Sequence, residues 1–110
     1  MPSSRELVFD VVRRIPHGKV LSYGQVADLV VRASLNGYMV GKIMAAATPD
    51  VPWQRVVARD GALVISKRNP AMASEQRRLL EAEGVQFDAE GRVRMDLHMW
   101  TPGGTLFDEE

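Results

Sequence analysis

Two short helical patterns that lie close together in the chain constrain its fold most. Ser22 and Gln25 have the spacing of a capping box, which predicts a helix from Ser22 to about Val31. Asn36 is a favoured N-cap residue and predicts a second helix over about 37–47. The apolar positions of the second helix recur at helical spacing at Val40, Ile43, Met44 and Ala47. Two short helices joined by a small turn are typical of a helix-turn-helix, although many helical domains contain such a pair and bind no DNA.

Two longer helices are predicted on either side of this pair. The first, over 3–15, opens with a second capping box, in which a glutamate follows a serine by three residues. The second begins at Asn69 and Pro70, because proline is favoured as the first residue of a helix. It ends before Gly84, since glycine is the usual residue just after a helix.

Two β-hairpins complete the predicted fold. Asp60-Gly61 lies between the apolar runs 55–58 and 62–65, and Asp-Gly in that setting is a strong hairpin signal. A weaker hairpin is predicted over 85–97. The sequence therefore predicts a mainly α fold with small β-hairpins, namely a winged-helix-like domain that contains a helix-turn-helix.

Composition narrows the class of protein. The 110 residues fit a single domain, of which 101–110 would be a loose acidic tail. No apolar run approaches the roughly 20 residues of a membrane-spanning helix, and residues 1–6 lack a secretory core, so we expect a cytoplasmic protein. The absence of cysteine excludes disulfides, thiolate metal sites and a thiol nucleophile. Two histidines without metal-ligand spacing indicate no metal, and we expect no cofactor.

The zero net charge hides an asymmetry along the chain. Residues 1–80 carry 12 Lys and Arg against 6 Asp and Glu, whereas residues 81–110 carry 2 against 8. A basic body with an acidic end can bind a polyanion locally. Charge alone is equally compatible with a solvated surface that has no partner.

Four segments, taken in order, resemble the DNA-binding domain of O6-alkylguanine-DNA alkyltransferases. They are 15–20, 22–27, 51–57 and 83–85. In that family the third segment contains the cysteine that accepts the alkyl group, and here Trp53 occupies its position. Tryptophan at this position marks the alkyltransferase-like proteins, which bind alkylated guanine without repairing it. Three further segments resemble that subfamily, namely 65–68, 75–77 and 99–102.

The chemistry of the substituted residues agrees with a protein that is not an enzyme. Accepting an alkyl group from guanine requires a strong nucleophile, normally a thiolate, and the indole of Trp53 has no comparable lone pair. The histidine that serves as the family's proton acceptor is Gln54 here, and an amide cannot do that work. We therefore expect binding without alkyl transfer.

The resemblance implies a pocket for a flipped base. Trp53 would form an apolar wall next to the alkyl group, and the backbone carbonyls of Trp53 and Val56 would accept hydrogen bonds from the guanine amino group. Arg68 matches the arginine that reaches over the base, with Lys67 as the alternative for that position. The residues expected to line the lesion pocket are Pro52, Trp53, Val56, Ser66, Lys67 and Arg68.

The resemblance also implies contacts to the DNA duplex. Tyr23 matches a tyrosine that presses on the phosphate next to the flipped nucleotide. In relatives an arginine of the third helix enters the base stack, and Tyr38 occupies that position here, so either its ring fills the gap or Arg32 or Asn36 supplies the polar part. The other expected contacts are Lys42, which would bind phosphate, and the small Ala45, which lets the helix enter the minor groove.

These expectations define one function and two rivals. The expected protein is a monomer that recognises alkylated guanine in double-stranded DNA by nucleotide flipping and, by resemblance, flags it for nucleotide excision repair proteins. A winged-helix transcription factor would instead respond to sequence rather than to damage. A protein-interaction module descended from this fold would show no salt-dependent DNA binding.

Overall fold

A computed structural model describes residues 3–30 and 33–102, apart from the side chains of Ser66 and Ala73. Five α-helices and two short strands follow each other in the order α1 Ser4–Arg13, β1 Leu21–Ser22, α2 Tyr23–Leu29, α3 Gly37–Met44, β2 Val56–Val57, α4 Ala73–Ala82 and α5 Met95–His98. Short 3₁₀ helices cover Trp53–Arg55, Ile65–Lys67 and Pro70–Met72. The fold is mainly helical, as predicted. Most of the expected acidic tail, residues 103–110, lies outside the described residues.

Helix α1 packs one face against the core. Its capping box is complete, because the Ser3 hydroxyl accepts from the backbone N–H of Glu6 and the Glu6 carboxylate accepts from the backbone N–H of Ser3. Its apolar face is buried at Val8, Phe9, Val11 and Val12. The local signals of the sequence therefore predicted this helix correctly.

Helices α2 and α3 form the predicted helix-turn-helix. Ser22 and Gln25 make a complete capping box at α2, and the Asn36 side chain accepts a 3.0 Å hydrogen bond from the backbone N–H of Met39 at α3. The two helices approach closely where a β-carbon on Gly37 would lie 3.3 Å from the backbone nitrogen of Gly24. Both helices end earlier than expected, α2 at Leu29 and α3 at Met44.

The first predicted hairpin forms its turn but not its ladder. Gly61 turns the chain with a φ of 90°, and its N–H donates to the carbonyl of Ala58. However, β2 pairs in parallel with β1, with Leu21 opposite Val56. The segment after the turn is drawn away, because the N–H of Val93 donates to the carbonyl of Gly61 at 2.9 Å. The second apolar run therefore ends in a 3₁₀ helix rather than in a strand.

The second predicted hairpin is shorter than expected. Phe87 and Val93 form an antiparallel bridge around a turn, in which the Asp88 carboxylate accepts from two backbone N–H groups. The chain then enters α5 instead of continuing as a strand. After α5, the N–H of Trp100 donates to the carbonyl of Val20 at 2.8 Å, which ties the end of the described chain to the edge of β1.

The core has two parts. The larger cluster joins α1, α2 and α3 to the segment that contains Trp53, and the smaller one joins Val20 and Val57 to α4 and the second hairpin. Helix α4 is preceded by a 3₁₀ turn and ends before Gly84, whose φ of 86° is the conformation that glycine favours after a helix. No described helix is long and apolar enough to cross a membrane.

Candidate nucleic-acid interface

The segment around Trp53 is a tight 3₁₀ turn that starts after Pro52. The backbone N–H of Trp53 donates to the carbonyl of Val51 at 2.6 Å, and the indole side chain is packed in the larger core cluster. Only 7% of the surface of Trp53 is exposed. The resemblance implies that this ring forms the wall of an open pocket, whereas the structure buries most of it in the core. Pro52 is half-buried next to it.

The two carbonyls expected to meet the guanine amino group already accept one hydrogen bond each within the protein. The carbonyl of Trp53 accepts from the backbone N–H of Val56. The carbonyl of Val56 accepts from the side-chain amide of Gln76 at 3.0 Å. A carbonyl oxygen has two lone pairs, so each retains capacity for a second donor. Sequence reasoning gave Gln76 no role of its own, and its side chain is wholly buried with Oε1 lacking a partner among the described residues.

Gln54 belongs to a buried network centred on Glu83. The Glu83 carboxylate accepts from the Gln54 amide at 2.8 Å, from the Arg55 Nε at 3.0 Å and from the backbone N–H of Gly18 at 2.8 Å. Burial by itself raises the pKa of Glu83, but the hydrogen bonds from its three partners outweigh burial and hold this pKa below its usual value. Glu83 is therefore an ionised and fully engaged carboxylate near neutral pH.

Arg68 and Tyr38 are brought together on the surface of α3. The Tyr38 ring is 63% exposed, and the guanidinium carbon of Arg68 lies 4.6 Å from its centre, within the range of a cation–π contact. Lys42, one helical turn after Tyr38, places its ammonium group 5.6 Å from the same ring centre. Tyr38 is thus an exposed aromatic ring in the first turn of α3, with two cations next to it.

Tyr23, the first residue of α2, lies next to the start of α3, because a β-carbon built onto Gly37 would be 3.6 Å from the β-carbon of Tyr23. Burial raises the pKa of the Tyr23 phenol to about 12. The positive charge of Arg68 lowers the same pKa, but by less than burial raises it. The phenol therefore stays protonated throughout the physiological range and remains able to donate a hydrogen bond. The structure thus brings three of the predicted residues together, namely Tyr23, Tyr38 and Arg68.

The remaining predicted residues fall into different settings. Asn36 uses its side-chain oxygen as the cap of α3, and Ala45, at the end of that helix, accepts a hydrogen bond at its carbonyl from the Asn69 side chain at 3.1 Å. Lys67 is exposed in the 3₁₀ turn next to Arg68. The backbone of Ser66 lies in that same turn, but its side chain lies outside the described residues, as does the whole of Arg32.

Ion pairing distributes the charge unevenly over the surface. In the C-terminal half the side chains of Arg77, Arg78, Arg92 and Arg94 all form ion pairs with nearby carboxylates. Among the described residues, by contrast, Lys42, Lys67 and Arg68 form none. Positive charge that is not neutralised by a described carboxylate is therefore present next to α3, where a polyanion could meet it.

Arg59 is a candidate that sequence reasoning missed. It is exposed, forms no ion pair with another described residue, and lines a cleft of about 600 Å³ together with Tyr23, Asn36 and Asp28. Its position in the predicted turn gave no reason to separate it from other loop charges, since the cleft is formed by segments distant in sequence. Within residues 3–30 and 33–102, no three side chains of His, Asp or Glu are grouped so that they could hold a metal ion.

Comparison with known proteins shows the family to which the chain belongs. Residues 3–85 match the family model described as 6-O-methylguanine DNA methyltransferase, DNA binding domain. Alkyltransferase-like protein 1 of Schizosaccharomyces pombe is 40% identical over 103 residues, which cover 86% of this chain and 92% of that protein. A DNA base-flipping protein of Vibrio parahaemolyticus is 31% identical over 99 residues, which cover 86% of this chain and 93% of that protein.

Solved structures show the same likeness. The crystal structure of S. pombe Atl1 in complex with damaged DNA containing O6-carboxymethylguanine matches with a TM-score of 0.75 and 33% identity, covering 93% of this chain and 100% of that one. The O6-methylguanine methyltransferase of Mycobacterium tuberculosis matches with a TM-score of 0.63 and 27% identity, covering 76% of this chain and 50% of that one. The chain therefore belongs to the family of the DNA-binding domain of 6-O-methylguanine DNA methyltransferase.

Proposed function

We propose that this protein binds O6-alkylguanine in duplex DNA, rotates the damaged nucleotide out of the base stack and holds it without transferring the alkyl group. The observation that carries the proposal is the proximity of three residues: Arg68 stacks on Tyr38, and Tyr23 packs next to Gly37, the residue before Tyr38. Lys42 and Lys67 add positive charge that forms no ion pair with the described residues. A flipped nucleotide needs a replacement in the stack, a group that meets the base and donors for the displaced phosphate. This cluster offers one residue for each task.

Tyr38 is the residue proposed to enter the base stack. Its ring is exposed at the start of α3, and an aromatic ring can stack on any base. Arg32 and Asn36 remain candidates for the polar contacts to the orphaned base, although the Asn36 oxygen is already engaged as a helix cap. Tyr23 donates to the phosphate next to the flipped nucleotide, since its phenol stays protonated.

The proposed lesion pocket lies around the Trp53 turn. The 7% of Trp53 that remains exposed and the half-buried Pro52 supply surface for the alkyl group. The carbonyls of Trp53 and Val56 use their second lone pairs for the guanine amino group. Arg68 stacks on the base, with Lys67 as the alternative. With tryptophan at the acceptor position, and no cysteine in the chain, no thiolate is present to attack the alkyl carbon.

Contacts to the DNA backbone come from unpaired cations. Lys42 on α3 and Arg59 at the cleft next to Tyr23 bind phosphates of the DNA backbone. The small Ala45 keeps the end of α3 low enough for the minor groove, which suits a search for damage because that groove carries little sequence information.

The proposal extends to the role in the cell by resemblance. A protein that holds a lesion without repairing it must hand it over, and we propose that the bound monomer flags the site for nucleotide excision repair proteins. Such a protein acts wherever the DNA is, which is the cytoplasm or nucleoid in a bacterium.

Base flipping can be tested through the partner of the lesion. A thymine placed opposite O6-methylguanine becomes accessible to permanganate when the lesion leaves the stack. We expect the protein to raise the permanganate reactivity of that thymine. In the control duplex, which has guanine in place of O6-methylguanine opposite the same thymine, the protein should leave the reactivity of the thymine unchanged. Binding that leaves the thymine equally protected in both duplexes would contradict nucleotide flipping.

A further inference from the structure

Gly41 is a buried glycine in the interior of α3, and the backbone does not explain its presence. Its φ is that of an ordinary helix, so any residue could adopt the same conformation. Glycine in the middle of a helix is less favourable than alanine, because it has more conformational freedom to lose. The absence of a side chain at this position therefore serves something outside the helix.

The space that a side chain would fill is occupied by Arg68. A β-carbon built onto Gly41 would lie 3.1 Å from Nε, 3.7 Å from Nη2 and 3.8 Å from Cζ of Arg68, and these are its three nearest neighbours outside the helix. The first distance is shorter than ordinary van der Waals contact. The guanidinium thus rests directly on the backbone of α3 at the position where every other residue type carries an atom.

The same guanidinium lies on the Tyr38 ring. Its carbon is 4.6 Å from the ring centre, and Tyr38 precedes Gly41 by three residues, so the two positions are neighbours on one face of the helix. We infer that Gly41 is a positioning residue: the bare backbone there lets Arg68 stack on Tyr38, so that the base-reading side chain and the stack-filling side chain are held together before DNA is bound. The role of the Arg68–Tyr38 pair in binding DNA rests on the proposed function. The contact between the two side chains does not depend on that function.

Holding the pair in place has a consequence for binding. A freely rotating arginine and an exposed tyrosine must both lose rotamer freedom when they engage DNA, and that loss weakens binding. Mutual stacking removes part of the loss in advance. Arg68 and Tyr38 should therefore contribute to lesion binding as a coupled unit, although 30 positions separate them in the sequence.

The first test uses the free protein. The ring current of Tyr38 should shift the NMR signal of the Arg68 Nε proton, and Tyr38→Leu should abolish this shift. Gly41→Val should reduce the same shift while the rest of the spectrum remains that of the folded protein, because valine is no worse than glycine in a helix. Gly41→Ala is the milder variant and should give an intermediate value. A signal that does not respond to the changes at position 41 would overturn the inference.

The second test uses two duplexes that differ by one O6-methylguanine in place of guanine. Gly41→Val should lower the preference for the methylated duplex by about two- to five-fold, the size expected for one exposed cation–π contact. In an Arg68→Ala background the same change should have no further effect. If Gly41→Val lowered the preference for the methylated duplex equally in the wild-type and Arg68→Ala backgrounds, Gly41 would affect DNA binding independently of Arg68. That result would overturn the inference. A wild-type protein without any preference would overturn the proposed function, while the NMR result would still decide the role of Gly41.

Discussion

The side-chain amide of Gln54 donates a 2.8 Å hydrogen bond to Oε2 of Glu83. The resemblance to the alkyltransferases implies that Gln54 occupies the position of their histidine base. Here the Gln54 amide instead donates one of the hydrogen bonds to the Glu83 carboxylate. The Glu83 side chain is only 7% exposed and also forms an ion pair with Arg55. Because Arg55 in turn donates to the carbonyl of Ile15 at 2.8 Å, the network fastens the Trp53 turn to the end of α1 and to the end of α4. We assign Glu83 a structural role.

Replacement of Glu83 by Gln should therefore destabilise the fold. It would leave the Arg55 guanidinium without its counter-charge in a largely buried place, which costs roughly 3 kcal/mol. The folded-state pKa of Glu83 is below the usual 4.5, so its ionised form stabilises the protein above that pH, and this contribution is lost as the pH falls through the folded-state pKa. The difference in unfolding free energy between wild type and Glu83→Gln should have its largest value at pH 7 and should decrease below about pH 4.5.

Glu81→Gln is the matched control in the same segment. Glu81 is exposed and pairs with Arg77 one turn away, so its loss should cost less than about 1 kcal/mol. Denaturant titrations of both variants at several pH values provide the measurement. If Glu83→Gln were no more destabilising than Glu81→Gln, the network would not hold the turn in place.

Arg68→Ala should reduce discrimination between damaged and undamaged DNA more than it reduces general affinity. The reason is that a contact to the flipped base exists only with the lesion, whereas contacts to phosphate exist with both duplexes. Lys67→Ala is the comparison, since Lys67 is exposed in the adjacent position. If Arg68→Ala lowered the affinity for both duplexes equally, Arg68 would be only a surface charge. If only Lys67→Ala lowered the affinity for the damaged duplex selectively, Lys67 would be the residue that contacts the base.

Tyr38→Ala should weaken binding to lesion DNA by about five- to a hundred-fold, which corresponds to the loss of one base–aromatic stack of roughly 1–3 kcal/mol. Since Tyr38 is 63% exposed, the melting temperature should change little. Tyr38→Arg introduces the arginine that the resemblance implies for this position, and it should preserve or strengthen binding. Unchanged lesion affinity in a well-folded Tyr38→Ala protein would remove Tyr38 from the mechanism and favour Arg32 or Asn36.

Arg59→Ala should weaken binding to both duplexes alike and lower the steepness of the salt dependence. One phosphate contact contributes about 0.9 to the slope of log affinity against log salt concentration. Arg78→Ala serves as the control, because Arg78 is exposed but paired with Glu75 at 2.6 Å. A slope for Arg59→Ala that equals those of wild type and Arg78→Ala would show that Arg59 does not contact phosphate.

The parts of the fold that follow from local signals were predictable from the sequence. The caps at Ser3, Ser22 and Asn36 were all confirmed, because a capping bond joins residues only three apart and leaves its pattern in the sequence. The turn at Gly61 was predictable for the same reason. The strand expected after it was wrong, because β1 takes the place next to β2 and Val93 takes the Gly61 carbonyl.

The sequence offered a set of candidate site residues but not their arrangement. Resemblance pointed to Tyr23, Tyr38 and Arg68 individually, whereas the stacking of Arg68 on Tyr38 depends on packing between distant segments. The buried amide of Gln76 and the cleft position of Arg59 carry no local signature, since glutamine and arginine are usually exposed. Such long-range contacts are visible only once the chain is folded.

The most direct test of the central claim is a titration with two duplexes that are identical except for one O6-methylguanine carrying a radiolabelled methyl group. We predict tighter binding to the methylated duplex, with the label recovered entirely in the DNA after the complex is denatured. Equal affinity for the two duplexes would contradict lesion recognition. Recovery of the label on the protein would contradict binding without transfer.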